Sequence, residues 1–263
     1  HRRGKSWAHA LFTRRNPFLI RPALKPSYPV SPILSENMTS FSTSFRYFDR
    51  PSKARYVWEK YQSILHGRVL DVGADECHLK TYLTDPSHYW GIGLGGTPDQ
   101  QVDLEQEGIP FEDNSFDCAL CLDVMEHVNN PQHIFDELCR VSQQYVIIAL
   151  PNPVGTFLST LFARQAGQVQ ALKFYGLPPV PPEDRHKWFF SVAEAENFII
   201  KRAAINNMRL LELSHFDPQT ATGWRKVRRL MMTWLLRLAF NLSITDLTTG
   251  TIWAVLTHQQ ITS

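Results

Sequence analysis

The chain has 263 residues, of which 43% are hydrophobic and 20% are charged, and this ordinary composition excludes a disordered, collagenous or coiled-coil protein. The net charge of +2 combines seven basic residues before Glu36 with a remainder that holds 20 basic and 25 acidic residues, so nucleic acid is not an expected partner. No stretch reaches the roughly 18 apolar residues that span a bilayer. Four cysteines are too few for a disulfide scaffold, which favours reduced thiols and a cytoplasmic location.

The first half of the chain predicts an arm followed by an α/β domain. Residues 1–50 are rich in Pro, Ser and Arg and are predicted to form a basic N-terminal arm, and residues 51–263 the folded domain. Apolar positions three and four apart predict a helix from Ser52 to Leu65. Short apolar runs predict strands at Arg68–Val72, Tyr89–Leu94, Gln101–Leu104, Phe116–Leu122 and Tyr145–Leu150. Helical spacing within Cys77–Leu83 and Pro131–Val141 interrupts these runs, so the sequence predicts a parallel sheet with helices on both faces.

After Pro153 the pattern changes, and residues 153–190 are predicted to form a lid. Further helices are predicted at Val154–Leu172, Ser191–Asn206 and Trp224–Phe240, and further strands at Arg209–His215 and Gly250–His258. Ser191 with Glu194 three residues later forms a capping box, which defines the start of its helix. The pair Cys118 and Cys121 lies within a predicted strand, where an odd offset points the thiols to opposite faces, so no metal site is predicted.

The first predicted strand ends in a candidate ligand site at Asp71 and Gly73. Open parallel sheets bind ligands beyond the carboxyl ends of their strands. A dinucleotide site would need G-x-G-x-x-G, but only Gly73 is present, and the carboxylates of Asp75 and Glu76 would repel a pyrophosphate. The same carboxylates would tolerate a cationic ligand such as S-adenosylmethionine. An ordinary tight turn is the alternative interpretation of this segment.

Two segments, Val69–Gly73 (VLDVG) and Gly108–Asp117 (GIPFEDNSFD), resemble motifs of the class I S-adenosylmethionine-dependent methyltransferases of the type 11 kind. Leu122–Val128 and Tyr145–Asn152 resemble the fourth and fifth strands of that family, and the resemblance covers about Tyr56 to Asn206. It implies a Rossmann-like, doubly wound sheet of seven strands with the last strand antiparallel. It also implies S-adenosylmethionine as the cofactor.

The resemblance implies that cofactor-binding residues follow the first four strands. They are Asp71, Gly73, Ala74 and Asp75 after the first strand, Gly93 and Leu94 after the second, Asp103 and Leu104 after the third, and Asp123 and Val124 after the fourth. The first motif is degenerate, because Asp75 and Cys77 stand where the family has its second and third glycines. Gly93 stands where the family has a carboxylate that holds the ribose, and Asp99 or Asp75 is a candidate to replace it. These departures keep open a non-catalytic binding or scaffold protein of the same fold.

Two histidines are candidate catalytic residues. His127 follows the fourth strand, and His186 begins an H-x-x-x-F-S element like that of many small-molecule methyltransferases. Either could accept the proton of an acceptor hydroxyl, and either could instead be a structural histidine. The predicted function is O-methylation of a small molecule or a lipid-linked sugar. A nicotinamide-dependent oxidoreductase is disfavoured, because the phosphate-binding loop is wrong.

The segment 224–240 combines four basic residues at its start with an apolar stripe that includes Trp234 and Leu238. A helix of this kind can lie on an anionic membrane, and its acceptor could then be a lipid-linked glycan. The favoured interpretation is a core helix packed on the sheet, because the methyltransferase family has a helix at this place.

Overall fold

The computed structural model describes residues 41–162, 179–181, 184–217, 222–240 and 242–259. The strands are β1 (Val69–Val72), β2 (Tyr89–Gly93), β3 (Gln100–Gln101), β4 (Phe116–Leu122), β5 (Ser142–Pro151), β6 (Met208–Phe216) and β7 (Thr251–His258). The helices are α1 (Arg50–Tyr61), α2 (Pro131–Val141), α3 (Pro153–Phe162), α4 (Val192–Ile205), α5 (Gly223–Phe240) and α6 (Ile244–Thr248). Short 3₁₀ turns occupy His78–Thr81, Pro86–His88 and Met125–His127.

The seven strands form one sheet in the order β3-β2-β1-β4-β5-β7-β6. The first five strands in this order are parallel, and β7 runs antiparallel to both β5 and β6. The prediction of a doubly wound sheet with an antiparallel last strand is therefore confirmed. The strand order reverses between β1 and β4, and α/β sheets bind their ligands beyond the carboxyl ends of the strands at such a point.

The central strands are buried on both faces, which explains why the sequence shows continuous apolar runs there. Within β4, Cys118 belongs to the hydrophobic cluster beneath α1, whereas Cys121 is buried outside that cluster. The four cysteines are free. On the other side α2 contacts β4 and β5, and Phe135 of α2 packs edge-on against Phe198 of α4.

The end of the predicted arm packs onto the domain. The Tyr47 ring stacks on Phe216 at 4.1 Å, and its hydroxyl donates a hydrogen bond to Thr251 Oγ1 at 2.8 Å. Asp49 caps α1 by accepting a hydrogen bond from the Ser52 backbone at 2.9 Å, so this helix begins two residues before its predicted start. Residues 1–40 lie outside the described part of the chain, and the arm itself stays a prediction.

Helix α5 differs from its favoured interpretation as a core helix. The side chains of Trp224 and Leu238 are 76% and 72% exposed, and among the described side chains of α5 only Thr233 is buried. The core interpretation is therefore wrong, because an amphipathic pattern predicts an apolar stripe without saying what that stripe contacts. Within the described residues, no helix has the length and hydropathy needed to cross a bilayer.

Strand β3 is shorter than predicted and ends at Gln101, because the carbonyl of Asp103 accepts hydrogen bonds from two later backbone N–H groups and turns the chain. The predicted lid begins as α3, but residues 163–178 and 182–183 lie outside the described residues. The lid therefore stays a prediction. Ser191 and Glu194 form the predicted capping box at the start of α4.

Candidate active site

Two adjoining cavities open beyond the carboxyl ends of β1, β2 and β4. The inner cavity has a volume of about 360 Å³ and is lined by Asp71, Ala74, Glu126 and His186 among others. The outer cavity has a volume of about 560 Å³ and extends past the end of β2. The two cavities share the lining residues Arg50, Gly73, Asp75, Asp123, His127 and Asp184. Volumes of this size are typical of sites for small molecules.

The structure places every predicted cofactor-binding residue around these cavities. Asp71 and Ala74 line the inner cavity, Gly73, Asp75 and Asp123 line both cavities, and Gly93, Leu94, Asp103, Leu104 and Val124 line the outer cavity. The strand order accounts for this convergence, because β1, β2 and β4 are neighbours and their carboxyl ends meet at one edge. The role of these residues in cofactor binding stays a prediction.

Asp71 is a buried carboxylate at the floor of the inner cavity. The Tyr89 hydroxyl donates a hydrogen bond to its Oδ2 atom at 2.8 Å. Burial raises the pKa of Asp71 to about 6, while the Tyr89 hydrogen bond and the nearby charge of Lys53 act in the opposite direction. A cationic ligand would stabilise the ionised form of this buried carboxylate, because the positive charge compensates for the water that the carboxylate loses on burial.

The loop after β1 keeps a glycine-like backbone where glycines are missing. Gly73 has φ +81°, and a Cβ atom there would lie 2.2 Å from Val124 Cγ2, so this position requires glycine. Asp75 and Cys77 occupy the left-handed region with φ 51° and 52°. The degenerate motif therefore retains positive-φ backbone at both substituted positions, at a steric cost of roughly 1–2 kcal/mol for each residue.

Of the two candidates to replace the missing ribose carboxylate, Asp99 is engaged elsewhere. Its carboxylate accepts a hydrogen bond from the Gly91 backbone at 2.9 Å and pairs with Lys80 at 2.6 Å, and it lines neither cavity. Asp75 lines both cavities and pairs with the guanidinium of Arg50. Asp75 is therefore the better placed of the two.

The site brings together His127 and His186, which lie far apart in the sequence. Their ring centroids are 4.7 Å apart and the rings are nearly perpendicular. Burial, followed by the charge of His127, lowers the pKa of His186 to about 4, so this imidazole is neutral near pH 7. Asp184 Oδ1 lies 2.5 Å from Nδ1 of His127.

Glu126 lies between the two histidines. Its side chain is 1% exposed, and its Oε1 atom lies 3.7 Å from Nε2 of His127 and 4.0 Å from Nε2 of His186. Burial, followed by the charge of Asp123, raises the pKa of Glu126 well above the ordinary value of a glutamate. Sequence reasoning noted Glu126 only as a neighbour of His127, because an isolated Glu-His pair does not reveal burial.

The charge balance of the cavities favours a cationic ligand. Five carboxylates line the inner cavity, from Asp71, Asp75, Asp123, Glu126 and Asp184, against the two permanent cations of Arg50 and Lys53. The outer cavity adds the carboxylates of Asp103 and Glu105 and the cations of Arg185 and Lys187, so the surplus of negative charge is the same for the two cavities together. A sulfonium or ammonium group fits this surplus, whereas a pyrophosphate does not. The residues present are therefore suited to S-adenosylmethionine. Nothing in the sequence indicated Arg50, Lys53 and Asp184 as site residues, because the segments around them contain no nucleotide-binding motif.

Residues 78–149 match the model of a family described as a methyltransferase domain. No curated protein matches the chain. Among solved structures, a SAM-dependent methyltransferase from Archaeoglobus fulgidus is 13% identical, with 79% of this chain and 94% of that chain covered and a TM-score of 0.47. A methyltransferase from Mesorhizobium loti is 12% identical, with 77% and 97% covered and a TM-score of 0.44.

Magnesium protoporphyrin IX methyltransferase from Synechocystis, solved with bound SAH, is 14% identical, with 80% of this chain and 83% of that chain covered and a TM-score of 0.43. These structural similarities are too distant to serve as evidence, so the fold is assigned from the strand order of this chain alone. The matched segment runs from the turn after β1 through β4 to Ala149 in β5, and it includes Gly93, Asp103 and His127. The motifs, the strand order and the family match together make this chain similar to the class I S-adenosylmethionine-dependent methyltransferases.

Proposed function

We propose that the protein transfers a methyl group from S-adenosylmethionine to a hydroxyl oxygen of a small molecule or a sugar. The observation that carries this proposal is the pair His127 and His186 in the cavity whose floor is Asp71. When bound, the cofactor supplies a methyl group on a positively charged sulfur, which keeps the bonding electron pair as the methyl leaves. The protein must then align the acceptor oxygen and remove its proton.

His127 is the better candidate for the base. Asp184 faces its Nδ1 atom at 2.5 Å, which favours the tautomer with the proton on Nδ1 and leaves Nε2 free of a proton to accept one from the acceptor hydroxyl. His186 is a poorer proton acceptor, because its pKa is lowered to about 4. Packed edge-on against His127, it fits an orienting role.

An apolar cavity of about 240 Å³ beside Glu126 supports an acceptor with a ring or an apolar body. Its wall includes Met125, Pro131, Leu150, Trp188, Phe189, Phe190 and Phe198. The indole N–H of Trp188 donates a hydrogen bond to the carbonyl of Val128 at 2.8 Å, which fixes this ring at the cavity wall. Aromatic walls suit both an aromatic ring and the apolar face of a sugar.

The first experiment is calorimetric titration of the protein with S-adenosylmethionine and with its demethylated product. Wild-type protein should bind both, and Asp71→Ala should abolish detectable binding. Absence of heat and of any thermal shift at high ligand concentration would reject the methyltransferase proposal and support the alternative, a non-catalytic binding or scaffold protein of the same fold.

The second experiment follows formation of the demethylated cofactor with a panel of phenolic and sugar acceptors. His127→Asn should lower turnover while it leaves cofactor affinity nearly unchanged, because a base acts in the transition state. His215→Asn is the matched control, since His215 pairs with Glu196 outside both cavities. Full turnover in His127→Asn, His186→Asn and the double variant would contradict the proposed base.

We also propose that α5 contacts an anionic membrane surface, where a lipid-linked acceptor would be presented. The segment Gly223–Phe240 carries five basic residues and no acidic residue, and most of its described apolar side chains are exposed. Each basic residue near such a surface contributes about 1 kcal/mol to the free energy of membrane binding. The four cysteines are free, which favours a reducing compartment such as the cytoplasm. The membrane surface that α5 contacts would then face that compartment.

Co-sedimentation with vesicles tests this contact. The protein should bind vesicles that contain anionic lipid, and Trp234→Ser with Leu238→Ser should weaken that binding. Ile205→Ser is the control, because Ile205 is a similarly exposed apolar residue on α4. Equal binding to zwitterionic and anionic vesicles, or an equal loss in the control, would contradict the contact.

A further inference from the structure

The three side chains that meet at the inner cavity, Glu126, His127 and His186, have the composition of a metal site. Each offers one donor atom, and these atoms all lie within 4.8 Å of one another. We propose that they bind a divalent transition-metal ion such as Zn²⁺ at the place where the acceptor hydroxyl enters. Two imidazoles and one carboxylate are the ligands of known catalytic zinc sites, which keep a further position open.

The donor distances are close to those that a bound ion requires. Donor atoms on one tetrahedral zinc ion lie roughly 3.3 Å apart, since each bond is about 2.0–2.1 Å long. The carboxylate Oε1 of Glu126 lies 3.7 Å from Nε2 of His127 and 4.0 Å from Nε2 of His186. The Glu126 carboxylate therefore needs to approach each imidazole by less than about 1 Å. Because all three donor atoms lie within 4.8 Å of one another, the widest pair needs to close by at most about 1.5 Å, within the reach of side-chain rotation.

Asp184 supplies the second feature of a metal site. Nε2 of His127 faces Glu126, and the opposite ring nitrogen, Nδ1, faces the Asp184 carboxylate at 2.5 Å. A metal-bound histidine commonly donates its other N–H to a carboxylate, which fixes the ring and makes the metal-facing nitrogen a stronger ligand.

The burial of Glu126 provides independent support. Within the described residues neither carboxylate oxygen of Glu126 has a hydrogen-bond partner, although the side chain is 1% exposed. A buried carboxylate without donors is costly, and a cation removes that cost. The charge of Lys53 also acts on Glu126, but Lys53 is already paired with Asp123 at 2.5 Å.

This inference rests on the proposed function for its catalytic role, although not for the metal site itself. A divalent ion beside the acceptor would lower the pKa of the acceptor hydroxyl, so the proton could pass to solvent without a histidine base. With the metal bound, the ion takes the place of the proposed histidine base, because the Nε2 lone pair of His127 is then used for the metal. His127 and His186 would act as ligands, and loss of either would lower turnover through loss of the metal.

The test is calorimetric titration of metal-free protein with Zn²⁺ alone. We expect one saturable zinc site per chain, with Mg²⁺ as a control that does not compete, because magnesium prefers oxygen ligands. Asp184→Asn should weaken zinc binding by about 10–100-fold, the usual effect of removing such a carboxylate. Glu126→Gln and His127→Ala should weaken it further, and His215→Ala should leave it unchanged.

Thermal unfolding of each metal-free variant shows whether it folds. Because the Asp184 side chain is exposed, Asp184→Asn leaves the core intact. Absence of zinc binding by the wild-type protein, or binding that survives in both Glu126→Gln and Asp184→Asn, overturns the metal site. Full methyl transfer by metal-free protein overturns its catalytic role. Zinc binding without any cofactor binding would support the metal site while it rejects the proposed function, so the two failures are distinguishable.

Discussion

Lys53 Nζ lies 2.5 Å from Oδ2 of Asp123 and so ties α1 to the turn after β4. The Lys53 side chain is 10% exposed and the Asp123 side chain 40% exposed, so the pair is held at the edge of the cavities. The ammonium also lies 5.1 Å from the ring centroid of Trp253 in β7. Asp123 has φ 56°, in the left-handed region.

Lys53→Met tests this relationship, because methionine keeps the length and the apolar contacts but removes the charge. The free energy of unfolding, measured with urea, should fall by about 1–3 kcal/mol, since a charge-assisted hydrogen bond is lost. Affinity for S-adenosylmethionine, measured at pH 8 so that Asp71 stays ionised without the charge of Lys53, should not fall, because an unneutralised Asp123 makes the cavities more negative. Lys80→Met, which removes the more exposed pair with Asp99, should cost less than about 1 kcal/mol. Equal losses in the two variants would contradict the role assigned to Lys53.

The positive φ angle at Asp75 in the first motif predicts that glycine at this position is more stabilising than alanine. Asp75→Gly should be more stable than Asp75→Ala by about 1 kcal/mol, because Asp75 has φ 51° and only glycine adopts this region without a steric cost. Both variants lose the ion pair with Arg50, so the difference between them reports the backbone alone. Thermal unfolding of the two variants measures it. If alanine is the more stable of the two, the loop does not hold the backbone that this φ angle describes.

The sheet and both candidate histidines could be predicted from sequence, whereas the contact between the two histidines could not. The buried strands β1, β4 and β5 appear as apolar runs, since burial on both faces leaves no polar alternation. His186 reaches His127 because the backbone N–H of Lys187 donates a hydrogen bond to the carbonyl of Glu126 at 2.7 Å. A contact between two loops of this kind leaves no periodic signal in either segment.

The exposure of α5 was also beyond sequence reasoning. Its apolar positions recur as they would in a helix that packs on a sheet, and periodicity gives the stripe without its neighbour. By contrast, the start of α4 was predictable, because the capping residues Ser191 and Glu194 act within one turn. Local interactions are thus read from sequence, and contacts between distant segments are not.

Gly93→Asp tests the missing ribose carboxylate. A Cβ atom at Gly93 would lie 3.4 Å from the nearest atom, Gly73 Cα, so the substitution meets no steric barrier at that point. If the position is vacant, affinity for S-adenosylmethionine should rise by roughly 10–100-fold, because a carboxylate accepts two charge-assisted hydrogen bonds from the ribose.

Gly93→Asn is the matched control for charge and should give a smaller gain. An unchanged or lower affinity of Gly93→Asp would mean that Asp75 or a backbone group already holds the ribose. Calorimetry of Asp75→Ala then separates these two explanations, because only the first predicts a loss of affinity in that variant.

The pKa of Asp71 predicts how cofactor binding responds to pH. Because burial raises this pKa to about 6, Asp71 is ionised at pH 7 and takes up a proton as the pH falls through 6. A cationic ligand favours the ionised carboxylate, so affinity for S-adenosylmethionine should fall by up to tenfold for each pH unit below about 6. The amino group of the ligand titrates above this range and stays charged throughout.

Tyr89→Phe removes the hydrogen bond that lowers the pKa of Asp71, so the loss of affinity in this variant should begin at a higher pH than in the wild-type protein. Calorimetry between pH 5 and 8 measures both profiles. Superimposable profiles for wild-type protein and Tyr89→Phe would show that another group controls the pH dependence.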